Sequence, residues 1–175
     1  EIGVRLVGSE MCIRDRGDLS EANDSVFWKE IAIPLAPDPE NPMKMTISPD
    51  GLLPGSRNAV TYYKNIKSFG NVTLVELQLE TGRTHQIRVH MAGIGHPLLG
   101  DTMYNPRACL KMSNRKEKKN TEGRINNRND CFKRAALHAW KLTFCHPFTD
   151  EIITLEAPLP DDFCRFLNAN EEEKT

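Results

Sequence analysis

Polar and apolar residues alternate almost strictly from Asn71 to Leu79 (NVTLVELQL), with Val72, Leu74, Leu77 and Leu79 among the apolar positions. A period of two belongs to a strand with one buried face. Asn58 to Ile66 (NAVTYYKNI) is rich in β-formers, and Lys67-Ser68-Phe69-Gly70 joins the two runs, so together they predict an antiparallel hairpin. The period then changes. Ile87, Met91 and Ile94 fall on one face of a helix running from about His85 to Ile94. Thr84 stands where an N-cap hydroxyl would accept from the free first-turn amides, and Gly95 followed by Pro97 supplies the stop. Val26 to Ile33, Met43 to Ile47, Ala136 to Phe144 and Glu151 to Glu156 read as further strands. The last two are linked by a turn at His146 to Asp150, and a short acidic helix or tail follows from Asp161. APDPENP after Pro34 and SPDGLLPG before the hairpin read as loops, because each proline fixes φ and removes a backbone donor.

Composition changes this picture little. A chain of 175 residues with 39% hydrophobic and 27% charged residues fits one globular domain. No apolar run approaches the roughly 20 residues that span a bilayer, so no membrane partner is expected. The net charge of −1 neither favours nor excludes nucleic acid, since a local basic field suffices for binding. Such a field exists at 106–134, where ten basic residues face three acidic ones with little hydrophobic periodicity. This segment reads as a solvated, mobile insertion, with an RNA-binding arm as the alternative. The five cysteines are odd in number and widely spaced with no CxxC pair, which suits free thiols in a reducing compartment. Residues 1–16 (EIGVRLVGSEMCIRDR) resemble a translated sequencing adaptor and are set aside from the fold as a tag would be, the alternative being a strand-like terminus on Ile2, Val4 and Leu6. The remaining organisation is a domain over 17–168 and an acidic tail over 169–175.

The chemistry concentrates between Leu79 and Tyr104: LETGRTHQIRVHMAGIGHPLLGDTMY. Arg83, His85, Gln86, Arg88 and His90 put five polar side chains at a strand-to-helix junction, and a helix N-terminus offers free amides to an anion. His85 and Arg88, three apart, share a helical face. His85 and His90 are five apart and so point roughly 140° from each other on a helix, which makes them a poor metal pair. His96 and Asp101 could ligate, but nothing else in the sequence supports a metal, and no GxSxG elbow marks a hydrolase. For His96, His138 and His146 the preferred reading is a hydrogen-bonded, partly buried ring.

The run from Thr81 to Tyr104 resembles, without a gap, the signature TGRTHQIRxHxxxxGxPxxGDxxY of RluA-type RNA pseudouridine synthases. Thr61 and Tyr63, IPLAPDPENPMKM, LHAW from Leu137 and CHP from Cys145 resemble flanking features of the same family, so the likeness covers about 26–167 around the basic insertion. It implies an α+β fold: a mixed, mainly antiparallel sheet with flanking helices, pseudouridine synthase-like and here incomplete. It also implies an isomerase that breaks the N1 glycosidic bond of a uridine in RNA and rejoins the base through C5, with neither cofactor nor metal. The target nucleotide must leave its stack. An aspartate acts as nucleophile, an arginine keeps it ionised and oriented, and a tyrosine stacks on the base.

By that resemblance the arginine is Arg88, which stays charged where a lysine need not. Arg83, Thr84, His85 and Gln86 become RNA-binding candidates through direct or indirect contacts. The partner is RNA, whether ribosomal, transfer or messenger, and the full-length protein is expected to be monomeric. The departure lies upstream. The family's HRLDxxTSG-like nucleophile motif has no match in these residues, since Asp15 and Asp18 lack its neighbours. Tyr62, Tyr63 and Tyr104 do not align with the family's active-site tyrosine. The expectation is a fragment that makes no pseudouridine alone, and the alternative is a non-catalytic RNA-binding module derived from the same fold. The cellular compartment stays open.

Overall fold

The computed structural model of the chain describes residues 7–15, 27–69, 72–105 and 132–171. Among the described residues eight strands and two helices follow in order: β1 (Val7–Asp15), β2 (Lys29–Ala32), β3 (Leu35–Pro37), β4 (Met45–Ile47), β5 (Val60–Phe69), β6 (Val72–Leu79), α1 (Gln86–Gly93), β7 (Leu137–Cys145), β8 (Ile152–Glu156) and α2 (Asp161–Glu171). Six strands form one sheet in the order β2-β5-β6-β1-β7-β8, and β3 pairs with β4 in a second, small sheet. Every described strand pairing is antiparallel. The predicted hairpin is β5–β6, with Thr61 opposite Leu79 and Phe69 opposite Val72. Its register slips between Asn65 and Lys67, a bulge that turns the end of β5 to the other face.

β6 is buried on both faces. Val72 and Leu74 pack with Phe69, Leu99, Phe132, Ala136, Phe163 and Phe166, the core beneath α2. Val75 and Leu77, of opposite parity, pack with Ile31, Tyr63, Leu98, Ile87 and Met91, the core beneath α1. The helical spacing of Ile87 and Met91 thus docks α1 against one face, while α2 covers the other. A third cluster of Leu35, Ala59 and Val89, flanked by Met45, Ile47 and Tyr104, joins the small sheet to α1.

Four expectations need adjustment. Residues 7–15, set aside with the first sixteen, form β1 between β6 and β7, so the sheet reading was short of one strand. β3 is hidden in the sequence because its residues precede and include prolines that read as loop; Pro37 sits at the strand's end, opposite Met45, whose amide donates to Tyr104 Oη. Of Phe132 to Arg134, counted with the basic insertion, Phe132 is buried in the α2 core, and the exposed Arg134 pairs with Asp162 at 2.9 Å. The remainder of that insertion, residues 106–131, lies outside the described residues. So do residues 172–175 of the acidic tail, whose first part, 169–171, continues α2.

Candidate functional site

The strand-to-helix junction is built around a buried amide. Gln86, 2% exposed, donates through Nε2 to the Val60 carbonyl at 2.9 Å and to Thr61 Oγ1 at 3.0 Å. Its Oε1 accepts from Thr81 Oγ1 at 2.9 Å and from the Arg83 amide at 3.0 Å. Both amide donors and both acceptor positions are therefore spent on lacing the start of α1 to β5. Gln86 is a scaffold residue in this arrangement, with no hydrogen-bonding capacity left for RNA. One turn later His90 completes the lacing. Its Nε2 lies 2.8 Å from the Ile33 carbonyl and so carries a proton, which leaves Nδ1 to accept from Thr61 Oγ1 at 2.8 Å. Burial holds the His90 ring below the usual histidine range, against a smaller upward pull from Ile33.

The expected Thr84 cap does not form. Thr84 is exposed, and the residue before the helix is His85, in the left-handed region at φ 56° and ψ 19° with no side-chain cap bond. The Gln86 side chain reaches back from the first helical residue to the Arg83 amide, which lies before the helix. Arg83 itself donates from Nε to the Asn58 carbonyl at 3.0 Å, which pins its stem at the end of β5.

Arg88 is met by a carboxylate of its own chain. Nε and Nη2 donate to Asp101 Oδ2 and Oδ1, both at 2.8 Å, a bidentate pair. The Asp101 side chain is 0% exposed and that of Arg88 21%. Asp101 Oδ1 also accepts from the Met103 and Tyr104 amides at 3.0 and 3.1 Å, so a tight turn closes around the carboxylate. Burial alone would raise the Asp101 carboxyl, but the bonds from Arg88 and the two amides outweigh it and hold the group below the ordinary carboxylate range. Arg88 is correspondingly raised, chiefly by its bond to Asp101. Its guanidinium lies 4.9 Å from the centre of the Tyr104 ring. The side-on edge of the guanidinium is thus occupied. Nη1 has no hydrogen-bond partner among the described residues and is not sealed from solvent, so the end-on edge stays available.

His85 rests on the same tyrosine. Its Nδ1 lies 2.9 Å from Tyr104 Oη, with the two rings edge to face at 5.6 Å. Burial, and then the charge of Arg88, lower the His85 pKa, so the imidazole is neutral at pH 7. Tyr104 is raised by burial. The structure therefore brings together Arg88 and His85 of the predicted set. It places Arg83 at the margin, Thr84 in solvent and Gln86 in the interior. Asp101 and Tyr104 were missed as members of the site. The sequence offers Asp101 only as a metal ligand with His96, and Tyr104 only for comparison with the family's stacking tyrosine. Gly100, at φ 68°, lets the turn close: a Cβ there would lie 2.1 Å from the Arg134 carbonyl oxygen.

Among the described residues no group of three or more His, Cys, Asp or Glu is placed to hold a metal ion, and no helix is long and apolar enough to cross a membrane. A family profile described as RNA pseudouridylate synthase matches residues 30–93, which contain β5, β6 and α1 with Arg88. The ribosomal large subunit pseudouridine synthase D of Pasteurella multocida is 44% identical over 136 residues, covering 78% of this chain and 38% of that protein. The protein of the same description from Haemophilus influenzae is 47% identical over 116 residues, 66% of this chain and 34% of its own length. The chain thus spans between a third and two fifths of these relatives. In three dimensions it resembles human RNA pseudouridylate synthase domain containing 4, with a TM-score of 0.65 at 23% identity over 95% of this chain and 62% of that one, a likeness of fold.

Proposed function

We propose, from the premise that this chain belongs to the RNA pseudouridylate synthase family, that it supplies the arginine half of a catalytic pair that isomerises uridine to pseudouridine in RNA. The observation that carries the reading is the division of the Arg88 guanidinium into two edges. Asp101 grips the side-on edge within the protein, and the end-on edge is left to receive a second carboxylate. Such an arginine would hold a nucleophilic aspartate ionised and aimed at the nucleotide. Asp101 cannot take the nucleophile's place. Its oxygens are buried and already accept four hydrogen bonds. The nucleophile would come from an HRLD-type segment of the kind the family carries, which these 175 residues do not contain.

In the proposed reaction the N1 glycosidic bond breaks, the uracil turns, C5 bonds to the ribose, and the C5 proton is released while N1 gains one. The residues of this chain orient and stabilise charge, and no metal or redox group enters. Which uridine is modified depends on RNA shape and on unpaired nucleotides, and a monomer suffices for the chemistry. The absence of the HRLD motif from these residues favours a second reading, a non-catalytic RNA-binding module.

One experiment separates the two. Residues 29–167 are placed in the corresponding region of the Pasteurella multocida relative, and release of tritium from RNA labelled at uridine C5 is followed. The enzyme reading predicts release by the chimera and none by the 175-residue chain alone. An inactive but folded chimera that still binds RNA would favour the binding module.

A further inference from the structure

We propose that Tyr104 is a positioning residue that fixes His85 in the neutral tautomer protonated on Nε2, so that this N–H donates to an oxygen of the extruded nucleotide. The inference rests on the reading under Proposed function for its substrate, and on hydrogen-bond accounting for the tautomer.

The tyrosine hydroxyl has one proton to give and two positions at which to accept. The Met45 amide, on β4, donates to Oη at 3.0 Å. The other recorded partner of Oη is His85 Nδ1 at 2.9 Å, and no other described group is placed to accept the phenolic proton. That proton therefore goes to Nδ1, and the single proton of the imidazole must sit on Nε2. The opposite tautomer would direct two donors at Oη and leave the phenolic proton without an acceptor at a half-buried site. Such a loss disfavours it by about tenfold or more. The backbone agrees. His85 holds a left-handed conformation that costs a non-glycine residue free energy, and its ring is locked edge-on to Tyr104. Strain of this kind persists where the surroundings over-determine it.

His85 Nε2 has no partner among the described residues and is not a sealed atom, so its N–H is open to a ligand. Arg88 rests on the same ring, with its own outer edge open. The turn from Asp101 to Tyr104 thus sets both groups at once: the carboxylate orients the guanidinium and the phenol orients the imidazole. Together they offer a cation and a neutral donor, which suits a carbonyl oxygen of uracil or a ribose or phosphate oxygen near an ionised carboxylate.

The test uses the whole 175-residue chain with ¹⁵N-labelled imidazoles. Wild type should show His85 with unprotonated Nδ1 and protonated Nε2 at pH 7. Tyr104→Phe keeps the ring and both ring contacts and removes only the hydroxyl. It should give a mixture of tautomers and weaken binding of a single-stranded uridine-containing RNA about tenfold, without altering the salt dependence set by phosphate contacts. A wild-type His85 protonated on Nδ1, or a Tyr104→Phe variant with the wild-type signature and affinity, overturns the inference. If Tyr104→Phe does not fold, the wild-type signature decides. Absence of RNA binding by wild type overturns the nucleotide contact, and a wrong tautomer overturns the positioning role of Tyr104; neither result touches the proposed function, which the chimera tests.

Discussion

Replacing Asp101 with asparagine is the sharpest perturbation of the site that leaves shape nearly unchanged. In the wild-type protein the carboxylate is fully buried and takes two bonds from Arg88 at 2.8 Å and two from backbone amides. Asparagine keeps one oxygen, which can still accept from the Met103 and Tyr104 amides. Its NH₂ would face the Arg88 donors. One or two charge-assisted bonds are lost, at about 1.5–3 kcal/mol each, and a partly buried cation loses its counter-charge, which costs about 3–5 kcal/mol where both partners are buried. Arg88 is a fifth exposed, so water partly rehydrates it and the lower end applies. The expected loss is about 3 kcal/mol, or roughly 6–12 °C in Tm for a chain of this size. The pH dependence adds a second check. A carboxyl held below its ordinary pKa contributes stability that is present above the unfolded value near about 4 and is lost as pH falls toward the folded one. Asparagine lacks that contribution, so the gap between the two proteins should narrow in acid. Urea unfolding of both proteins at neutral pH and at pH 3 makes the measurement. A variant within about 1 kcal/mol of wild type at pH 7 would refute the reading of Asp101 as the buried anchor of Arg88.

Other consequences are open to measurement. Gln86→Ala, which abandons four hydrogen bonds in the interior, should cost about 2–4 kcal/mol in denaturant unfolding. Gly100→Ala should be at least as damaging, about 3 kcal/mol or more, because a Cβ would meet the Arg134 carbonyl and φ is positive there. His90 is buried neutral and its pKa is depressed, so stability should be complete above about pH 6.5 and fall on acidification below it, as the unfolded chain takes up a proton that the folded ring refuses; unfolding free energies across pH 7 to 5 would show the slope. Lys64→Met should change stability by no more than about 1 kcal/mol, since its pair with Glu76 at 2.8 Å is partly solvated.

What the sequence made legible follows from which interactions are local. The alternation of 71–79 and the spacing of Ile87 and Met91 report one buried face each, and β6 and α1 lie where those patterns put them. The pairing of Arg88 with Asp101 spans thirteen residues and a helix-to-turn reversal, so no periodicity could announce it. The same holds for Tyr104, whose hydroxyl reaches Met45 across 59 positions. Thr84 does not cap the helix because capping propensity assumes an ordinary entry, whereas the residue before the helix is His85, in the left-handed region and without a side-chain cap bond. A polar residue at a helix start looks the same in sequence whether it serves a ligand or the neighbouring strand, and the four bonds of Gln86 lie within the protein. β1 escaped because its segment was set aside for its resemblance to non-protein-coding sequence, which bears on origin and not on strand-forming capacity.

The most direct test of the proposed chemistry is C5 tritium release from labelled RNA by the chimera carrying residues 29–167, compared with the same chimera bearing Arg88→Met and Asp101→Asn together, the asparagine oxygen still accepting from the Met103 and Tyr104 amides. Replacing both members of the ion pair avoids stranding a buried charge, so the doubly substituted protein should remain folded. The account predicts that its turnover falls by a factor of about 10² or more, equivalent to losing one preorganised charged contact at the reacting centre. A folded double variant that releases tritium at the rate of the parent chimera would contradict the assignment of Arg88.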